Sequence, residues 1–223
     1  MGGPKRLMVR ADQVIVALDI LDVDRVLDLV DTLLPSGICW FKVGVSLWTH
    51  AGREVVDAIK QRGGRVFLDL KLHDIPHQVG LATSAAAELG VELLTVHASG
   101  GSEMLEAAMR GAGDDMRLLA ITVLTSLDAE EGEVERLAQL AYDSGVHGAV
   151  CSPLEVAHLR SLLPEPFLLV TPGVRPAGSA ADDQRRVATP EDAIAAGSSL
   201  LVIGRPITGA EDPVEAVNGI ISG

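Results

Sequence analysis

The stretch Arg65-Val66-Phe67-Leu68-Asp69-Leu70-Lys71-Leu72-His73-Asp74-Ile75-Pro76 runs from a short apolar segment into a set of charged side chains and ends on a proline. Side chains alternate faces along a strand, so Phe67, Asp69 and Lys71 share one face and Val66, Leu68 and Leu70 the other. A carboxylate and an ammonium at the end of a buried strand are costly unless they are paired. Asp74 follows where the strand gives way to a loop, near enough to offer Lys71 a second acidic neighbour. An ion pair plugging the end of a barrel would account for one such pair. Three charged groups so close to the end of an apolar strand point instead to a catalytic constellation.

Working outward, the same strand-then-helix pattern repeats. Apolar runs at 14–19, 38–44, 65–71, 92–97, 117–124, 148–151, 167–171 and 200–204 read as strands. Segments with helical periodicity fall at 22–34, 47–62, 76–89, 102–110, 131–144, 154–163 and 190–196, with a last helix from Asp212. Continuous apolar strands suit a parallel sheet covered by helices. Eight alternating units in 223 residues fit a compact α/β fold, the (β/α)₈ TIM barrel. A doubly wound open sheet is the alternative. No repeat, low-complexity segment or linker divides the chain. The expectation is therefore a single domain over 1–223, with 1–13 an N-terminal tail.

Bulk composition narrows the function. The chain is 48% hydrophobic but only 3% aromatic, so its core is aliphatic and disorder is excluded. A formal charge of -13 argues against nucleic acid or an anionic membrane as partner, but permits an anionic small molecule in a locally basic pocket. Cys39 and Cys151 each sit in an apolar run, as buried thiols of a reducing compartment do, and no zinc-ligand spacing occurs. The start of the chain lacks the apolar core of a signal peptide, and no apolar run reaches membrane-spanning length. These features predict a soluble, cytoplasmic protein.

In a barrel, chemistry gathers at the C-terminal ends of the strands. Asp19, Lys42, Asp69, Lys71, His97, Thr125 and Gly204-Arg205 all fall there. An inward Asp19 implies inward Ile15 and Ala17, and an inward Lys42 implies inward Trp40 and Gly44. Residues 173–189 form the longest unpatterned stretch and read as a lid, with Arg175, Gln184, Arg185 and Arg186 as donors. Together with Gly204-Arg205 it covers the place where barrels bind phosphate. Freed amides, a helix N-terminus and a guanidinium suit a phosphate dianion. His73 and His77 are spaced like metal ligands, but Pro76 between them breaks a shared helical face. His97 reads as a satisfied core histidine, and His50, His147 and His158 need no special role.

Asp69-x-Lys71-x-x-Asp74 followed by Ile75-Pro76 resembles the signature of the orotidine 5'-monophosphate decarboxylase family. The likeness extends through Ala17-Leu18-Asp19, Phe41-Lys42-Val43-Gly44, Val96-His97-Ala98, Leu124-Thr125-Ser126, the Thr171 to Pro176 segment, Asp183-Gln184 and the Val202 to Thr208 segment. The resemblance implies a cofactor-independent, metal-free decarboxylase acting on orotidine 5'-monophosphate. It implies that Lys71 donates a proton, that Asp69 lies against the substrate carboxylate, and that Lys42 contacts ribose. Asp74 would reach the site of a neighbouring subunit, making a homodimer necessary. Asp19 would bind a ribose hydroxyl, and Thr125 the pyrimidine. Ile75, Pro76 and Gln78 would be substrate contacts. Arg175, Gln184, Gly204 and Arg205 would surround phosphate. The family usually reads Ile-Pro-Asn-Thr where this chain has Ile75-Pro76-His77-Gln78, so an amide replaces a hydroxyl.

The chemistry is consistent with those roles. Loss of carbon dioxide leaves a ring carbanion with no cofactor to delocalise it, and a fixed ammonium can stabilise and then protonate it. Two other readings are open on the sequence alone. A magnesium-dependent sugar-phosphate decarboxylase or aldolase of the same superfamily would carry a glutamate ligand where Lys42 stands. A non-catalytic phosphate-binding barrel would keep Gly204-Arg205 but would not need Lys71.

Overall fold

Eight parallel strands hydrogen-bond in chain order, and the eighth pairs back with the first to close a barrel. The computed structural model describes residues 8–124, 127, 129–175 and 188–222. The strands are β1 (Val14–Ala17), β2 (Trp40–Gly44), β3 (Arg65–Leu72), β4 (Leu93–His97), β5 (Arg117–Ile121), β6 (Gly148–Val150), β7 (Leu168–Pro172) and β8 (Leu200–Ile203). The helices are α1 (Val23–Leu33), α2 (Val45–Gln61), α3 (Pro76–Glu88), α4 (Ser102–Ala112), α5 (Glu133–Asp143), α6 (Val156–Leu162), α7 (Pro190–Ala195), α8 (Arg205–Thr208) and α9 (Pro213–Ser222). This is the TIM barrel, and the open sheet is excluded. No helix among the described residues is long and apolar enough to cross a membrane.

Local chemistry sets the boundaries. The Asp22 carboxylate caps α1 by accepting the Arg25 N–H at 3.1 Å, and Thr189 caps α7 by accepting from Asp192 at 3.2 Å. Pro76 and Pro190 open α3 and α7, where a missing N–H costs nothing. Several strands are shorter than their apolar runs suggest, β1 and β5 among them. β1 ends at Ala17, although the Leu18 N–H still reaches the Lys42 carbonyl at 3.0 Å, and Asp19 lies in the loop beyond. β5 ends at Ile121, short of residue 124. α2 breaks at Gly52, whose φ is 57°. The single turn α8 was hidden in the sequence by its brevity. The expected tail is partly built: a 3-10 turn spans Ala11–Gln13, and Val9 is buried.

Alternation sorts the strands into two apolar layers. Ile15, Ala17, Trp40, Phe67, Leu93 and Leu119 fill the barrel interior. Val16, Leu18, Phe41, Val43, Val66 and Leu68 face outward against the helices. The inward choices for β1 and β2 therefore hold, and the residues following in phase arrive at the barrel mouth.

Two details at a distance from that mouth govern stability. Helices α3 and α4 approach closely because glycine faces glycine: a Cβ on Gly111 would lie 2.5 Å from the Gly80 carbonyl oxygen and 3.1 Å from the Thr83 Cβ. At the opposite end of the barrel, His147 ties strands together. Its Nδ1 accepts the Leu118 N–H at 3.0 Å, and its carbonyl accepts the Leu168 N–H at 2.9 Å. Burial pushes the imidazole below its usual pKa of 6.5, and the Arg117 charge adds to that.

Two outcomes follow. Gly111→Ala should destabilise the protein by about 1–2 kcal/mol in urea unfolding, because overpacking against backbone outweighs alanine's helix preference of roughly 1 kcal/mol. An unchanged or raised midpoint would refute the close approach. His147 has a lowered folded pKa, so its contribution is whole above the unfolded value and drains away as pH falls through the folded one. His147→Asn keeps an acceptor but no titrating group. Its urea midpoint should therefore fall less steeply than the parent's between pH 7 and pH 5, and equal slopes would contradict the assignment.

Candidate active site

The C-terminal ends of the strands open into a cleft of about 470 Å³. Asp19, Lys42, Asp69, Lys71, Arg175, Gly204 and Arg205 all line it. At its floor the barrel-interior side chains Ala17, Phe67 and Val202 give way to this charged ring.

The ring is an ion-pair chain. Lys71 Nζ lies 2.7 Å from Asp69 Oδ2, Lys42 Nζ lies 3.7 Å from the same oxygen, and Lys42 Nζ lies 2.9 Å from Asp19 Oδ1. Lys42 and Asp69 are each 8% exposed, and pairing offsets the cost of burying them. Asp19 is more than half exposed at the rim. Gly44 leaves the space this chain needs: a Cβ there would lie 2.9 Å from Lys42 Nζ and 3.0 Å from Asp19 Oδ1.

Lys71 reaches the cleft in a way simple alternation does not describe. The β3–β4 ladder pairs Leu68 with Leu94 and then resumes at Leu72 with Val96, so β3 carries two extra residues. Lys71 sits in that bulge with φ 52°, a left-handed conformation that non-glycine residues rarely adopt. Its N–H finds the hydroxyl of Thr95 at 2.8 Å, and the same hydroxyl donates to Asp69 Oδ1 at 3.0 Å. Thr95 was not among the residues singled out from sequence. The available signal was its phase: on β4 it alternates with Leu93 and His97, a hydroxyl at an inward position of an apolar strand.

Asp74 behaves differently. It is exposed, its carboxylate accepts the Ile75 N–H at 2.6 Å, and it forms no ion pair with Lys71 of its own chain. Within one chain Asp74 thus lies exposed where β3 gives way to α3 and is not ion-paired with Lys71. Ile75, Pro76 and Gln78 follow it on the rim and do not line the cleft. Thr125 and Gln184 lie outside the described residues, as do 176–187 of the expected lid. The lid's base is described: Val174 bridges Ala188, and the Arg175 N–H donates to the Ala188 carbonyl at 3.1 Å. Arg175 is 6% exposed. Beside it, Gly204 caps α8, whose Arg205, Pro206 and Thr208 face the cleft.

His97 departs from the expected satisfied core histidine. Among the described residues neither ring nitrogen is hydrogen-bonded, and the ring stacks on exposed His73 at a centroid distance of 5.2 Å. Partial burial lowers its pKa, the His73 and Lys71 charges lower it further, and Asp69 opposes them. Cys151 is fully buried and its thiol is pushed up to about 12, so it is inert at neutral pH.

A cleft that sets a Lys-Asp-Lys ion-pair chain beside an apolar wall can hold an anionic ligand and deliver a proton to it. The family model for orotidine 5'-phosphate decarboxylase / HUMPS matches residues 12–220. The orotidine 5'-phosphate decarboxylase of Synechococcus sp. (strain WH7803) is 50% identical over 226 residues, covering 92% of each chain. That of Moorella thermoacetica is 47% identical over 230 residues, covering 94% of this chain and 90% of its own. The crystal structure of the Lactobacillus acidophilus enzyme superimposes with a TM-score of 0.82 at 39% identity, covering 93% of this chain and 96% of that one. With this barrel, this charged ring and relatives matched nearly end to end, the chain belongs to the orotidine 5'-phosphate decarboxylase / HUMPS family.

Proposed function

We propose that this chain decarboxylates orotidine 5'-monophosphate to uridine 5'-monophosphate, the last step of de novo pyrimidine nucleotide synthesis, without metal or cofactor. The observation that carries this reading is the ion-pair chain Lys42-Asp69-Lys71, with Lys42 and Asp69 buried, beside the apolar wall of the cleft. The ammonium of Lys71 faces the position where a ring carbanion would form and is its proton donor. Its short pair with Asp69 aims it. Asp69 lies where the substrate carboxylate would sit, so repulsion between the two falls as carbon dioxide leaves. Its neighbours Lys42 and Lys71 limit that repulsion, which makes transition-state stabilisation the larger effect.

The remaining site residues orient the nucleotide. Asp19, exposed at the rim and tied to Lys42, takes a ribose hydroxyl. Arg175 and the Gly204-Arg205 turn take the phosphate, with 173–189 as the lid above it and Gln184 within that lid. Thr125 takes the pyrimidine. Phosphate binding far from the reacting carbon then favours closure and the exclusion of water. Lys42 occupies the place where magnesium-dependent relatives would need a carboxylate, and its ammonium repels a divalent cation.

The site is completed by a second copy of the chain. Asp74 is turned outward beside Ile75, which is 62% exposed, and Leu81 of α3, which is 54% exposed. Large apolar side chains on that rim suit a surface covered in a homodimer. Asp74 of each chain then reaches Lys71 of the other, with Ile75, Pro76 and Gln78 approaching the ribose and phosphate. Both cysteines are free thiols, in keeping with a reducing cytoplasmic setting.

Two experiments test these roles. Loss of the orotate absorbance should accompany turnover by the parent. Lys71→Ala should lower kcat by at least roughly a thousandfold while binding uridine 5'-monophosphate within about tenfold of the parent. Retained turnover in that variant would remove Lys71 from the chemistry. For the shared site, mixing Asp74→Ala chains with Lys71→Ala chains should restore up to about a quarter of parental activity, because one site of each hybrid dimer regains both groups. Verified exchange without recovery would refute it.

A further inference from the structure

We propose that Thr95 is a positioning residue for the decarboxylation: one hydroxyl on β4 holds both the Asp69 carboxylate and the Lys71 backbone in their working geometry. The inference rests on the decarboxylase reading and extends it to a side chain that does not itself touch the cleft.

A hydroxyl has one proton to give and lone pairs to accept with, and Thr95 uses both toward the site. Its oxygen accepts the Lys71 N–H at 2.8 Å and donates to Asp69 Oδ1 at 3.0 Å. The division of labour on Asp69 is complete. Oδ1 is held by the hydroxyl, which leaves Oδ2 for the two ammonium groups, at 2.7 Å from Lys71 and 3.7 Å from Lys42. Without the hydroxyl, the carboxylate can turn about its Cβ–Cγ bond, which alters both distances together.

The second bond matters because of where Lys71 sits. In the bulge the ladder between Leu68–Leu94 and Leu72–Val96 is out of step, and the Lys71 N–H has the Thr95 hydroxyl as its partner. That bond supports a left-handed residue with φ 52°, which sets the direction in which the ammonium leaves the backbone. Thr95 is 0% exposed, so water cannot replace the hydroxyl, and its χ1 is restricted by β-branching. Thr95 and Asp69 are thus a buried, hydrogen-bonded platform for the partly exposed Lys71 side chain.

The test compares Thr95→Val, which keeps shape and removes the hydroxyl, with Thr95→Ser, which keeps the hydroxyl and removes a methyl. In Thr95→Val, kcat should fall about 10- to 100-fold, the scale of one lost hydrogen bond to a charged group. KM and the affinity for uridine 5'-monophosphate should stay within about threefold, because phosphate and ribose contacts are untouched. Thr95→Ser should recover kcat to within about threefold. If the valine variant does not fold, Thr95→Ala takes its place with the same expectations, and urea midpoints report stability separately. A kcat within twofold of the parent in the hydroxyl-free variant overturns the proposal. So does a serine variant as impaired as the hydroxyl-free one, since that result would mean the methyl's packing is what counts. An active parent with an inactive Lys71→Ala and an unimpaired Thr95→Val sinks this inference alone, whereas a parent that does not consume orotidine 5'-monophosphate sinks it together with the reading beneath it.

Discussion

A single carboxylate, Asp69, is buried at the mouth of the barrel between two ammonium groups, and the surrounding architecture exists to make that tolerable. An unpaired carboxylate at 8% exposure would carry a penalty of several kcal/mol. Three neighbouring segments compensate it: β2 brings Lys42, β3 brings Lys71, and β4 brings the Thr95 hydroxyl. The pairing between adjacent strands fixes where each arrives, since Gly44 of β2 stands beside Asp69 of β3. A slip of one residue in either strand would turn its charged side chain toward the helices. Register, ion pairing and the position of the chemistry are therefore one constraint seen at three scales.

Charge distribution shows the same economy. The chain as a whole carries -13, yet four of the side chains lining the cleft are cationic: Lys42, Lys71, Arg175 and Arg205. Two of these are balanced within the ring by Asp69 and Asp19. The arginines follow β7 and β8, across the closed barrel from β3 and β4. Cations from β2, β3 and the ends of β7 and β8 thus meet in one cleft of an otherwise acidic chain.

The barrel was legible in the sequence because each of its layers is written in a simple period. Strands such as 14–17 carry continuous apolar runs, as do 66–68 within β3, helices such as α1 carry a clear apolar stripe, and inward residues of β1 and β2 follow in phase with their functional ends. Lys42, Asp69 and Lys71 could be placed on one rim by that phase alone. What escaped was irregular. Nothing in the pattern announces a two-residue register shift within β3, because both a regular strand and a bulged one place Lys71 toward the interior. Asp74 looked close to Lys71 along the chain, but sequence distance does not encode the turn that carries it outward. Thr95 was passed over because a threonine within a strand is ordinary, and its importance lies in two partners from another strand.

The bulge also explains why the two aspartates of the motif play unlike roles despite similar chemistry. In an unbroken strand, residues two apart lie about 6.6 Å from one another and project in parallel. The left-handed turn at Lys71 ends that parallel course. Asp69, before the turn, stays in the barrel and is buried; Asp74, after it, is carried to solvent with the first residues of α3. The backbone penalty of roughly 1–2 kcal/mol for a left-handed residue is offset by a hydrogen bond to its N–H and a charge-assisted pair at its side chain, so the strain is held by the groups it positions. Straightening β3 would keep Lys71 near Asp69 but would redirect Asp74 and the start of α3. One strained residue thus separates a carboxylate that stays buried at the barrel mouth from one that is carried to solvent.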